Sequence, residues 1–169
     1  DKAAGLLDTA RQKGMLTEQR DYENLYAIYL NMDGKEAEAA KVIQEGLDKG
    51  ILPADARTYT FLAQSLYFSD QINPAVDAYK KAAPLDTTGD TSLALSQILT
   101  NEDRNEEAKA AARQALDKGL KKPGEAWMVI ARSEYYMDNF AAARQAYAEA
   151  AKDPATRDQA QKALAQISR

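Results

Sequence analysis

Large apolar residues along this chain recur three and four positions apart, as in Tyr22, Leu25 and Tyr29, or Tyr59, Leu62 and Leu66. That spacing lays one stripe along a helix of 3.6 residues per turn. No stretch alternates apolar and polar residues as a strand would. The stripes are interrupted by short polar segments carrying Asp, Asn, Gly or Pro, residues suited to caps and tight turns. The pattern predicts ten helices over about 3–13, 18–31, 35–48, 55–68, 74–84, 90–100, 105–118, 124–136, 140–151 and 156–167. Asn73-Pro74 is expected to be an N-cap followed by proline at the start of the fifth. Gly14, Gly50 and Gly119 are expected to terminate helices.

The helices repeat in pairs. Leu25, Leu62, Leu95 and Ile130 are 37, 33 and 35 residues apart, and Ala39, Ala75, Ala108 and Ala143 are 36, 33 and 35 apart. In three of the four second helices a small residue is followed four on by a larger one and three further on by another small one; the third unit has Ala112 at the larger position. Ala75, Tyr79, Ala82 and Ala143, Tyr147, Ala150 show it most clearly. Small residues let backbones approach, and the larger one fills the space between helices. The units run over about 18–51, 55–87, 88–121 and 124–155 and are expected to form one domain across 1–169. Residues 3–13 predict the second helix of a partial unit, which either caps the array or follows repeats that would lie upstream. Residues 156–167 predict a capping helix, apolar at Ala160, Ala163, Leu164 and Ile167 and polar elsewhere.

Composition narrows the chemistry. Thirty-three alanines favour helix and close packing. The net charge is -4 with no basic block, which argues against nucleic acid as a partner. No apolar stretch approaches the roughly 18 residues of a membrane-spanning helix. With no cysteine and no histidine, disulfides, Cys/His zinc sites, thiol nucleophiles and imidazole bases are excluded. No cofactor, metal or catalytic residue is expected, because no carboxylate, lysine or tyrosine spacing suggests a paired acid and base. Glu102, Asp103, Glu106 and Glu107 form a solvated, acidic helix start, and Lys121-Lys122 a helix-end charge pair.

A period near 34 residues with two helices per unit is the tetratricopeptide signature. The four units resemble the tetratricopeptide repeat family over about residues 18–151, down to Trp127 at an aromatic position of the last unit. The third unit departs at Ser92 and Leu99 and the last at Glu134, where aromatics are usual, and these positions are expected to pack more loosely. The resemblance implies an all-α, right-handed solenoid of antiparallel helix pairs whose first helices line a concave groove for a protein or peptide partner. By position the groove would be lined by Arg20 and Asn24, by Arg57, Phe61, Gln64, Tyr67 and Phe68, by Gln97, and by Met128, Arg132, Tyr135 and Tyr136. Phe61, Tyr67 and Phe68 form the sharpest cluster, since aromatics and arginine dominate interface energies. Tyr67 falls between core and groove. Asn24 matches a position at which chaperone-binding members hold a terminal carboxylate. Its counterpart in the next unit is Phe61, so that clamp is incomplete.

A narrower resemblance rests on Gly14-Met-Leu-Thr17, Arg20-Asp-Tyr-Glu-Asn-Leu25, Lys49-Gly-Ile-Leu52 and Leu62-Ala-Gln64. These segments look like bacterial envelope proteins encoded beside TonB-ExbB-ExbD systems, which would imply a periplasmic scaffold. The alternative is a structural module that self-associates through its open N-terminal helix.

Overall fold

The computed structural model describes residues 2–167. Among them are ten α-helices: α1 (Lys2–Gln12), α2 (Gln19–Leu30), α3 (Glu36–Asp48), α4 (Ala56–Phe68), α5 (Ile72–Ala82), α6 (Asp90–Asn101), α7 (Asn105–Asp117), α8 (Gly124–Tyr136), α9 (Phe140–Ala150) and α10 (Arg157–Ile167). A 3-10 turn over Ala83–Leu85 follows α5. The described residues contain no strand. Helices pair with their sequence neighbours: α2 with α3, α4 with α5, α6 with α7 and α8 with α9. The chain divides into two compact units, one ending at Leu85 with α1–α5, the other starting at Asp86 with α6–α10.

The turn inside each pair explains the recurring aspartate. Asp70, Asp103 and Asp138 adopt φ of 63°, 57° and 61°, the left-handed conformation that ends a helix. Behind each, an N–H donates back across the last turn: Gln71 to the Leu66 carbonyl at 2.9 Å, Arg104 to Leu99 at 2.9 Å and Asn139 to Glu134 at 2.8 Å. Aspartate tolerates this conformation better than most residues with a Cβ. The first pair has a longer link, 31–35, and puts Gly34 in the left-handed region instead. Gly14, Gly50 and Gly119 likewise take positive φ just after α1, α3 and α7, as expected of terminators.

One predicted cap is displaced. α5 begins at Ile72, so its N-cap is Gln71 rather than Asn73, and Pro74 is the third helical residue. The first turn has no intrahelical use for a proline N–H at any of these positions. Proline therefore restricts the helix start to that turn without choosing the residue. Asp55, by contrast, caps α4 directly, its carboxylate accepting the Thr58 N–H at 2.8 Å.

The small positions of the second helices are the packing points. Ala39, Ala75, Ala108 and Ala143 are fully buried, and so are Ala82, Ala115 and Ala150 seven residues on. Gly46 holds that later position in α3, where an added Cβ would lie 2.6 Å from the Leu52 side chain and 3.0 Å from the Tyr22 ring. Fully buried Ile43 and Val76 lie in the same helices, each worth about 1.5–3 kcal/mol of burial. The expected loosening at Leu99 and Glu134 does not occur. Leu99 is 1% exposed. Glu134 is buried 3.3 Å from the Lys109 ammonium and accepts the Asn139 side-chain N–H at 2.8 Å. A lysine and an amide from the neighbouring helix and turn thus replace aromatic bulk. Ser92 and Ser133 are buried with hydroxyls that no hydrogen bond satisfies among the described residues.

Polar clusters pin the ends of each unit. In the first, Glu45 of α3 pairs with Arg11 of α1, accepts the Tyr22 hydroxyl at 2.8 Å and meets the Lys49 ammonium at 2.6 Å. Burial opposes ionisation of Glu45, but the hydrogen bonds from Lys49, Tyr22 and Arg11 outweigh it and hold the carboxyl below its ordinary range. In the second, Asp86 accepts the N–H groups of Thr88 at 2.9 Å and Thr91 at 3.0 Å ahead of α6. Burial again opposes the charge, and these bonds carry the carboxyl down to about 2. Gly89 follows at φ 87°, where a Cβ would strike the Ala115 carbonyl oxygen at 2.5 Å. Farther along, Asp153 in the α9–α10 link accepts the Gly124 N–H at 2.9 Å and fixes the start of α8.

Candidate functional site

The first helices carry the sequence-predicted residues, and each unit presents its own set. In the first unit, Arg20 and Asn24 are exposed on α2. Asn24 lines a cavity of about 490 Å³ with Leu7 of α1 and with Ala27, Ile28, Asn31 and Met32. On α4, Phe61 is half-buried, its ring 5.8 Å from that of Tyr26 on α2 and 5.5 Å from the Arg57 guanidinium carbon. Phe61 therefore bridges two helices and shows solvent only part of itself. Gln64 is exposed, with its amide beside the Tyr79 hydroxyl of α5. Burial raises the Tyr79 pKa, and Gln64 partly offsets that rise.

Tyr67, whose place the helical phase leaves open, is half-buried. Its ring meets Phe68 edge-on at 5.6 Å. Phe68 is 70% exposed, more than any other large hydrophobic side chain among the described residues. An aromatic this open beside Tyr67 is of the kind that anchors interfaces.

In the second unit, Gln97 of α6 donates to the Glu125 carboxylate of α8 at 2.9 Å, so these two positions satisfy each other. Met128 is half-buried. Arg132 is exposed and lines a cavity of about 200 Å³ with Tyr135, Tyr136, Tyr147, Ala163 and Ile167. Tyr135 meets Tyr136 edge-on at 5.9 Å and Phe140 at 5.5 Å. Burial holds the Tyr147 phenol above its ordinary pKa, and nearby Arg132 works against that rise.

Sequence reading alone did not single out Phe140. It is 42% exposed and opens α9, one three-residue turn beyond Tyr135 and Tyr136. A third aromatic that close across an Asp-Asn turn is the signal that marks it. Nor did the helical phase point to a cavity of about 560 Å³ on the second helices of the first unit. Ala40, Lys41 and Asp48 of α3 and Pro74, Asp77 and Lys81 of α5 line it over Leu62 and Leu66. Its acids and lysines are mixed, so it presents no single charge to a ligand. No group of three or more acidic residues among the described residues is placed to hold a metal ion.

Together these features define an all-helical, tetratricopeptide-like array of tandem helix pairs. Among solved structures it is similar to two of MamA. One superposes with a TM-score of 0.71 at 17% identity, covering 90% of each chain. The other has a TM-score of 0.69 at 17% identity, covering 90% of this chain and 96% of that one. No family model matches the sequence. No curated protein matches it either.

Proposed function

We propose that the chain is a non-catalytic scaffold that holds a segment of another protein on the first-helix faces of its units. The observation that carries this reading is Phe68, an aromatic side chain open to solvent beside Tyr67 and in the same helix as Phe61 and Arg57. Exposed aromatics with arginine at hand are the residues that anchor interfaces. Rigid helix pairs present them with little ordering cost on binding.

The two phenylalanines separate binding from folding. Phe68→Ala should leave the melting temperature within about 2 °C and weaken partner capture by about 2 kcal/mol or more. Phe61→Ala should weaken capture too but also destabilise the fold, because it removes the ring packed on Tyr26. The measurement is affinity of the purified variants for a partner recovered by crosslinking from source-cell extracts. Recovery of that partner undiminished by Phe68→Ala would overturn the reading.

The proposal extends to a bacterial envelope assembly of the TonB-linked kind. It rests there on the resemblance of short segments alone, and subcellular fractionation tests it. Self-association is a second reading. It draws on the cavity lined by Leu7, Ile28 and Met32 and on Leu6, which is 65% exposed on α1. A monomeric mass at micromolar concentration would remove it.

A further inference from the structure

The cavity between α8, α9 and α10 has a definite charge. Among the described residues that line it, Arg132 is the one basic side chain and none is a carboxylate. Among the described residues, Arg132 has no ion-pair or hydrogen-bond partner, in a chain whose net charge is -4. Three other cations of the second unit have carboxylate partners. Arg104 pairs with Glu107 at 2.8 Å, Lys109 with Glu134 at 3.3 Å and Lys152 with Glu149 at 2.6 Å. Arg132 gives the cavity a guanidinium, a planar fork of five donors suited to a carboxylate.

The surrounding groups fit the same ligand. Tyr135 and Tyr136 are exposed, and their hydroxyls are donors. Ala163 and Ile167 of α10 supply apolar wall. A volume of about 200 Å³ holds one side chain rather than a helix. The aromatic edges of Tyr135, Tyr136 and Phe140 continue outward from the rim, open to an apolar neighbour of that side chain.

We infer that this cavity receives an aspartate or glutamate side chain of the bound polypeptide, with Arg132 as its counter-charge and an adjacent apolar residue resting on the tyrosines. The inference rests on the scaffold reading above and adds the chemistry of the partner segment. Groove charges of this kind contribute most through selectivity between partners.

The test uses random twelve-residue peptides displayed against the whole chain. The tightest selected peptide is then synthesised beside a copy in which every Asp and Glu becomes Asn and Gln. Calorimetry measures both against the native protein, Arg132→Gln and Arg132→Lys, with circular dichroism confirming the fold. The native chain should bind the acidic peptide at least tenfold more tightly than the neutral copy. Arg132→Gln should bind the two alike, and Arg132→Lys should keep most of the difference. Selected peptides without acids, or discrimination that survives Arg132→Gln, would overturn the inference and leave the scaffold reading standing. Failure to select any peptide would overturn both.

Discussion

Three aspartates hold the turns between paired helices in a conformation that favours glycine. Asp70, Asp103 and Asp138 are exposed, and each bends the chain where a second helix must fold back on the first. The cost of the left-handed conformation is about 1–2 kcal/mol for an ordinary residue and less for aspartate. Asp103→Gly should therefore be neutral to about 1 kcal/mol stabilising, since relief of φ strain exceeds the added freedom of the unfolded chain. Asp103→Val, branched at Cβ, should destabilise by about 1–2 kcal/mol. Urea denaturation of the two variants decides it: a glycine variant less stable than the valine one would show that the aspartate side chain, not the backbone angle, holds the turn. Sequence spacing marks these positions because the turn is local and its geometry needs only one residue type.

Helix pairs depend on contacts the sequence shows only in part. Small residues at Ala39, Ala75, Ala108 and Ala143 are legible because they recur in register, and all are buried. The start of α5 was misplaced because proline is equally acceptable anywhere in a first turn, so Gln71 caps where Asn73 was expected. Looseness was expected at Glu134 because a single position was compared with aromatics, whereas the space is filled from another helix by Lys109. Gly46 shows what such closeness costs to disturb. Alanine there would gain about 1 kcal/mol of helix propensity. Its Cβ would meet Leu52 at 2.6 Å and the Tyr22 ring at 3.0 Å, and both neighbours are buried. Overpacking costs about 1–3 kcal/mol, so Gly46→Ala should be net destabilising by about 1 kcal/mol or more. Equilibrium denaturation checks it, and a stabilised variant would mean that Leu52 swings aside freely.

Within each compact unit, interactions run mainly between neighbouring helices. That is why the fold class was legible from one sequence: each stripe needs only the next helix to cover it. The division at Leu85 and Asp86 was not legible, because the segment Asp86-Thr-Thr-Gly-Asp90 is too short to look like a linker and is instead held by the Asp86 hydrogen bonds. The Arg132 cavity was legible only as separate residues, since its walls come from Tyr147 on α9 and Ala163 and Ile167 on α10, far apart in sequence from Arg132. Neighbour-limited contacts also predict how the chain opens. In repeat arrays stability is close to a sum of unit and interface contributions, so a local defect lowers protection mainly where it lies. The overpacking at Gly46 falls among α2, α3 and Leu52, all in the first unit. Hydrogen exchange of Gly46→Ala should therefore quicken in peptides from α2 to α5 by several-fold, while amides of α7 and α9 keep the protection they have in the native chain. Equal acceleration in both units would mean that the chain unfolds as one cooperative body and that its helix pairs do not behave as separable modules.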